Sequence, residues 1–229
     1  MATPKTKTLP ATTIDHTSGG HYQAFNNLNN AKTVDSKYAE CNVKGKKATA
    51  NRPATLTFKN FKAQLPTGAM VTKIEVELKH SKAPINGKNC NVTAPSIALM
   101  DGDKVLQYKN PKTYAETASG GSNPFNFPTG NNNSSRTVTS TTNQMIKKAQ
   151  APTTTPTKNV VTFNSTWDYN LINKNTFSVR VDYPTNANEN QGYIRLYWVR
   201  IRLTYKTADF SVQILKGEGE YNGDDFEIN

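Results

Sequence analysis

The stretch FKNFKAQLPTGAMVTKIEVELKHSKA, Phe58–Ala83, decides the fold. Its second half alternates. Ile74, Val76 and Leu78 point one way, while Lys73, Glu75, Glu77 and Lys79 point the other. A period of two is the signature of a strand with one dry and one wet face. The glutamates alternate with lysines and read as a solvated surface. LPTGA, just upstream, is a turn, with Pro66 fixing φ and Gly68 free to take a positive φ.

The same pattern recurs outward from this segment. ATLTFKNF is a strand with Leu56 and Phe58 on one face. APSIALMDGDKVLQYK reads as a hairpin about an Asp101–Gly102 turn. NVVTF, TFSVRVDY and GYIRLYWVRIRLTY are the last strong strands. In the third, Ile194, Leu196 and Trp198 share one parity, and Val199, Ile201, Leu203 and Tyr205 share the other. A β-bulge near Trp198–Val199 reconciles them. TTNQMIKKAQAP is predicted as one short helix ended by Pro152. Eight to ten strands with turn signals throughout imply an all-β chain, an antiparallel β-sandwich of jelly-roll type.

The chain has 229 residues, room for one large all-β domain. Residues 1–35 are Thr-rich and kept out of helix by Pro4 and Pro10, so they read as an extended N-terminal arm. Residues 36–206 form the sandwich and 207–229 an acidic tail. From Asp209 onward six acids stand against Lys216 alone, a net −5, leaving +16 on the rest of a chain of total charge +11. A basic body with an acidic tail suits head-to-tail packing or an anionic surface. Arm and tail are expected to gain order by gripping neighbouring subunits, with Glu218, Glu220, Asp224 and Asp225 as tail assembly contacts. MATPKTKTLPATTIDHTSGG lacks the apolar core of a signal peptide, and no apolar run is long enough to span a membrane.

Little here suggests catalysis. There is no G-x-S-x-G, H-E-x-x-H, Walker loop or dinucleotide fingerprint. His16, His21 and His80 have no carboxylate at metal-ligand spacing, and the D-G-D at Asp101–Asp103 lacks the further oxygens of a calcium loop. Cys41 and Cys90 are too few for a zinc site of four thiolates and read as separate reduced thiols, with a bridge possible but not required. No catalytic residue, metal or cofactor is expected.

Binding has more candidates. Residues 111–135 are rich in Gly, Ser and Asn and carry Phe125 and Phe127. Trp167, Trp198 and Tyr197 fill or flank the core, or else Trp167 and Tyr169 join Phe125 on exposed loops that stack against sugar rings. Arg195, Arg200 and Arg202 lie on the last strand, placed to hold an anionic polymer or an acidic neighbour. No interleaved RNP-like pattern or basic helix points to nucleic acid.

LPTGAMVTKIEVEL, Leu65–Leu78, followed later by STWDYNLINKNTFSVRVDYPTNANENQGYIRLYWVRIRLTY, Ser165–Tyr205, resembles a β-sandwich module of tailed-bacteriophage virion proteins. That module runs from a turn and strand to a Trp-containing loop, a short helical turn, a strand, a polar hairpin and a final strand. The long Asn-rich hairpin and the acidic extension after Tyr205 depart from it. The resemblance implies a non-enzymatic virion part (tail, baseplate, neck, fibre or capsid decoration). It would be made in the host cytoplasm and would assemble with copies of itself and other virion proteins. The alternative is a receptor-binding module for host cell-wall polysaccharide.

Overall fold

The computed structural model describes residues 3–17, 24–43, 54–85, 90, 92–107, 145–184 and 192–207. Among the described residues eleven strands run in chain order: β1 (Lys5–Pro10), β2 (Thr13–Thr17), β3 (Ala39–Val43), β4 (Ala54–Lys59), β5 (Met70–Pro84), β6 (Ser96–Asp101), β7 (Lys104–Val105), β8 (Ile146–Lys148), β9 (Thr157–Asp168), β10 (Phe177–Tyr183) and β11 (Gly192–Lys206). A 3-10 turn at Leu28–Lys32 and a helix α1 (Tyr169–Asn173) interrupt them.

Two antiparallel sheets result. Sheet A has the order β1-β11-β5-β9, with β3 also pairing β11, and sheet B has the order β2-β4-β10-β6-β7, with β8 also pairing β6. Starting from β3, consecutive strands largely alternate between the sheets. β3, β5, β9 and β11 lie in one, while β4, β6, β8 and β10 lie in the other. That interleaving is the jelly roll, in which two Greek keys wrap into two facing sheets.

The alternation of the opening segment maps onto this directly. Ile74, Val76 and Leu78 face inward and are fully buried, meeting Leu56, Phe58, Ile97, Leu99, Val179 and Val181 of sheet B. Each such side chain contributes roughly 1.5–3 kcal/mol by leaving water. The bulge expected on the last strand occurs as a register shift between Leu196 and Trp198, which leaves Tyr197 unpaired and restores inward facing from Val199 onward. Gly68, at φ 74, sits third in a turn closed by Ala69 N–H donating to the Pro66 carbonyl at 3.1 Å.

Several expectations are corrected. Residues 5–17 do not stand off as an arm. Lys5–Pro10 pairs along Arg200–Tyr205, and Thr13–Thr17 extends sheet B beside β4. The expected helix at 141–152 is instead strand β8 at Ile146–Lys148, paired with Ser96–Ala98; residues 141–144 lie outside the described residues. The two-residue hairpin loop is Gly102–Asp103, since Asp101 pairs with Lys104. β10 and β11 do not form a hairpin, because the chain crosses from sheet B to sheet A between them.

Candidate functional site: the outer face of sheet A

The three arginines singled out in the sequence lie on the outward face of β11, and each meets a carboxylate on an adjacent strand. Arg195 Nε is 2.8 Å from Glu40 Oε2, Arg200 Nε is 2.6 Å from Glu77 Oε2, and Arg202 Nε is 2.8 Å from Glu75 Oε2. The register explains each contact, since Arg195 pairs with Glu40, Arg200 with Glu77 and Arg202 with Glu75. Lys73 adds a second cation to Glu75 at 3.3 Å, and Lys158 of β9 adds one to Glu77 at 3.1 Å.

These contacts correct the solvated-surface view of Glu75 and Glu77. Both are buried, Glu77 at only 2% exposure, beneath the cations that cover them. Burial pushes the Glu77 carboxyl up, but hydrogen bonds and charge from Arg200 and Lys158 outweigh it and hold the group below its ordinary value. Glu75 behaves likewise under Arg202 and Lys73. Each of these arginines is therefore ion-paired within the chain through Nε.

Aromatic rings are threaded through the same face. Tyr38 and Tyr197 meet edge to face at 5.4 Å. Arg195 stacks 4.8 Å from the Tyr38 centroid, Lys79 lies 5.3 Å from Tyr197, and Arg200 lies 5.0 Å from Trp198. The bulge at Tyr197 is what brings two successive aromatics, Tyr197 and Trp198, to this side. The surface is thus a ladder of ion pairs and cation–π contacts over most of sheet A. Sequence reasoning missed Glu40 and Lys79. Acids on one strand opposite arginines of like parity on another are the signal that would have found the Glu75 and Glu77 pairs.

The remaining candidates fall elsewhere. Trp167 is buried at 3% and belongs to the core, and Tyr169 is half-buried against it, so neither presents a free ring on a loop. Phe125, Phe127, Glu218, Glu220, Asp224 and Asp225 lie outside the described residues. Cys41 and Cys90 are separate buried thiols, and burial raises the pKa of Cys90. Among the described residues, no three His, Cys, Asp or Glu side chains are grouped to hold a metal.

The sandwich interior holds one polar cluster that sequence reasoning passed over. His80 is completely buried between the sheets. Asn159 accepts the Gln150 N–H through Oδ1 at 3.2 Å, which turns its Nδ2 toward His80 Nε2 at 3.1 Å. Nε2 is then an acceptor, so Nδ1 carries the proton and donates to Tyr183 Oη at 3.0 Å. Burial lowers the imidazole pKa from 6.5 to about 4, against an opposing pull from the Gln150 carbonyl. This cluster ties β5 and β9 of sheet A to β10 of sheet B. Gln150 and Asn159 also line a surface groove of about 220 Å³ between Lys148–Gln150 and Lys158–Val161.

No family model and no curated protein matches this sequence. Among solved structures, the chain is similar to the N-terminal cellulose-binding domain of β-1,4-glucanase C from Cellulomonas fimi, at 8% identity and TM-score 0.33 over 77% of this chain and 82% of that one. It is similar to the Stig cyclase Fisc from Fischerella, at 11% identity and TM-score 0.33 over 90% and 100% of the two chains. It is also similar to the lectin UEA-II complexed with galactose, at 9% identity and TM-score 0.31 over 87% and 98%. Likeness this distant carries no functional argument.

Proposed function

We propose that the protein is a non-enzymatic structural part of a tailed-bacteriophage virion, assembling through its jelly roll and its C-terminal extension. The carrying observation is that the two motifs behind the family resemblance interlock in space. The Asn173 side chain brackets the Leu65 backbone, with Leu65 N–H donating to Oδ1 at 2.8 Å and Nδ2 donating to the Leu65 carbonyl at 2.9 Å. Tyr169 N–H donates to the Ala69 carbonyl at 3.1 Å, and Met70 pairs with Asp168. Segments about a hundred residues apart thus build one corner of the sandwich, which is what a shared module requires. The intrachain ion pairs of the outer arginines support a scaffold over a polymer clamp.

Protein analysis and immunogold labelling of purified particles should place this chain in the virion. Deletion of residues 207–229 should keep it out of particles. Particles devoid of it, or normal incorporation of the truncated chain, would sink this reading.

A second reading, a carbohydrate-binding module, is favoured by one observation. Tyr38, half-buried beside Glu40 and Arg195, joins an aromatic face to hydrogen-bonding groups, the combination that sugar rings use. Tyr38→Ala should then weaken binding to wall polysaccharide at least tenfold, a shift of about 1.4 kcal/mol. Equal binding by both proteins argues against it.

A further inference from the structure

We infer that the edge of β9 turned away from β5 accepts a β-strand formed by residues 224–229 of a second copy of this chain. The inference rests on the assembly reading above and names the surface and segment that would carry it. β9 is twelve residues long, and among the described residues it pairs only with β5. A long edge with unbonded main-chain groups is a template for another strand unless something blocks it. One position is blocked, since Lys147 Nζ donates to the Thr162 carbonyl at 2.5 Å.

That contact also sets the phase. The Thr162 carbonyl turns away from β5, and antiparallel strands send alternate residues' main-chain groups to opposite edges. The groups of Val160 and Lys158 therefore share its direction. The register with β5 is regular from Thr157 to Asn164, so no bulge upsets this count. Both residues are exposed, Val160 at 45%.

Beside them lies a groove of about 220 Å³, walled by Lys148–Gln150 on one side and Lys158–Val161 on the other. Its inner flank carries Ala149 and Val161, both buried, and its outer flank carries the exposed Lys148 and Lys158, the latter already paired with Glu77 at 3.1 Å. The groove thus offers strand-pairing groups, an apolar side and a cationic side.

The chain ends in DDFEIN, residues 224–229. Phe226 and Ile228 share one parity, and Asp225 and Glu227 the other. Laid against β9 as an extended strand, this segment sends its apolar pair toward Ala149 and Val161 and its acids toward Lys158. Main-chain bonds supply affinity and the alternate side chains set register. The 22 residues beyond residue 207 span roughly 70 Å when extended, enough to reach a neighbouring copy. Donor and acceptor on one chain then link copies head to tail, as the −5 tail and +16 remainder favour.

The experiment uses full-length protein. Sedimentation velocity at low salt should show mass rising with concentration. Hydrogen exchange should show the amides of Lys158 and Val160 about tenfold slower in the associated form. Val160→Pro, which removes an edge N–H without changing charge, should abolish association, as should the double change Asp225→Lys, Glu227→Lys. Mixing these two variants should restore heterodimers and nothing larger, because only one intact edge and one intact tail then meet. Association indifferent to these substitutions overturns the inference and leaves the assembly reading standing if the chain still enters particles. Edge amides that are slow even at high dilution show a chain's own tail in the groove, and also overturn it.

Discussion

At the residue scale, the buried polar groups were the hardest to read from sequence. Glu77 alternates with lysines like any surface glutamate, and only the strand beyond reveals that Arg200 and Lys158 close over it. Removing it strands those cations, but both remain partly in water. The cost of Glu77→Ala should therefore be about 2 kcal/mol, below the 3–5 kcal/mol of a fully buried broken pair. A double-mutant cycle with Arg200→Ala should recover a coupling of at least about 0.5 kcal/mol, and strict additivity would refute the pairing. His80 was equally hidden, because a lone histidine after an alternating strand carries no sign of its partners. Its folded pKa of about 4 lies below the ordinary 6.5, so the unfolded chain takes up the proton first as pH falls. The contribution to stability is full above about pH 6.5 and is lost progressively toward pH 4, by at most about 3 kcal/mol. Asp182, whose carboxyl is raised by burial, works in the opposite sense, which is why the comparison must be differential. Urea unfolding of wild type and His80→Gln at pH 7 and pH 4.5 checks it: the wild type should lose more stability on acidification than the variant. Parallel losses would show that His80 does not carry the effect.

At the element scale, strict alternation was legible wherever one face is dry. β4, β5, β10 and β11 follow it, and the phase change in β11 announced its bulge to within one residue. Short elements were not legible. Met145, Ile146 and Ala149 fit a helical turn as well as a strand, and the pairing of β8 with Ser96–Ala98 decides the matter. Nor does a strand's sequence say where its neighbours press closest. Gly192 opens β11 between β3 and β5, and a Cβ there would lie 2.4 Å from Cys90 Sγ and 2.7 Å from the Ala83 carbonyl oxygen. Gly192→Ala should therefore destabilise the fold by about 1–3 kcal/mol, as overpacking does. Adding Cys90→Ala removes the thiol clash but not the carbonyl one, so it should relieve only part of the strain. Chemical denaturation of the single and double variants measures both steps. A Gly192→Ala protein as stable as the parent would show that the chain ends here are free to part.

At the scale of the whole molecule, fold class was legible but strand order was not. Propensity and alternation identify strands, while partners are fixed by which dry faces can close over one another. β11 illustrates the gap: its neighbours come from residues 5–10, 39–43 and 70–84, and no local signal joins them. The N-terminal segment was misjudged for this reason. Its threonines and prolines suit an unattached arm, yet Leu9 and Ala11 are buried, Lys7 Nζ donates to the Ala63 carbonyl at 2.7 Å, and Thr12 Oγ1 donates to the Asn60 carbonyl at 2.8 Å. The two accounts differ in what deletion does. An arm that waits for a neighbour contributes nothing to an isolated chain, so removing residues 1–12 would leave its stability unchanged. A strand built into sheet A takes Leu9 out of the core and bares the edge of β11 along Arg200–Tyr205. The loss should be at least about 3 kcal/mol, from one buried leucine and several net hydrogen bonds. Thermal unfolding of the isolated, truncated protein should show a melting temperature lower by roughly 6 °C or more at this chain length. The newly bared edge should also raise its tendency to aggregate. An unshifted melting temperature would return residues 5–17 to the role of a free arm.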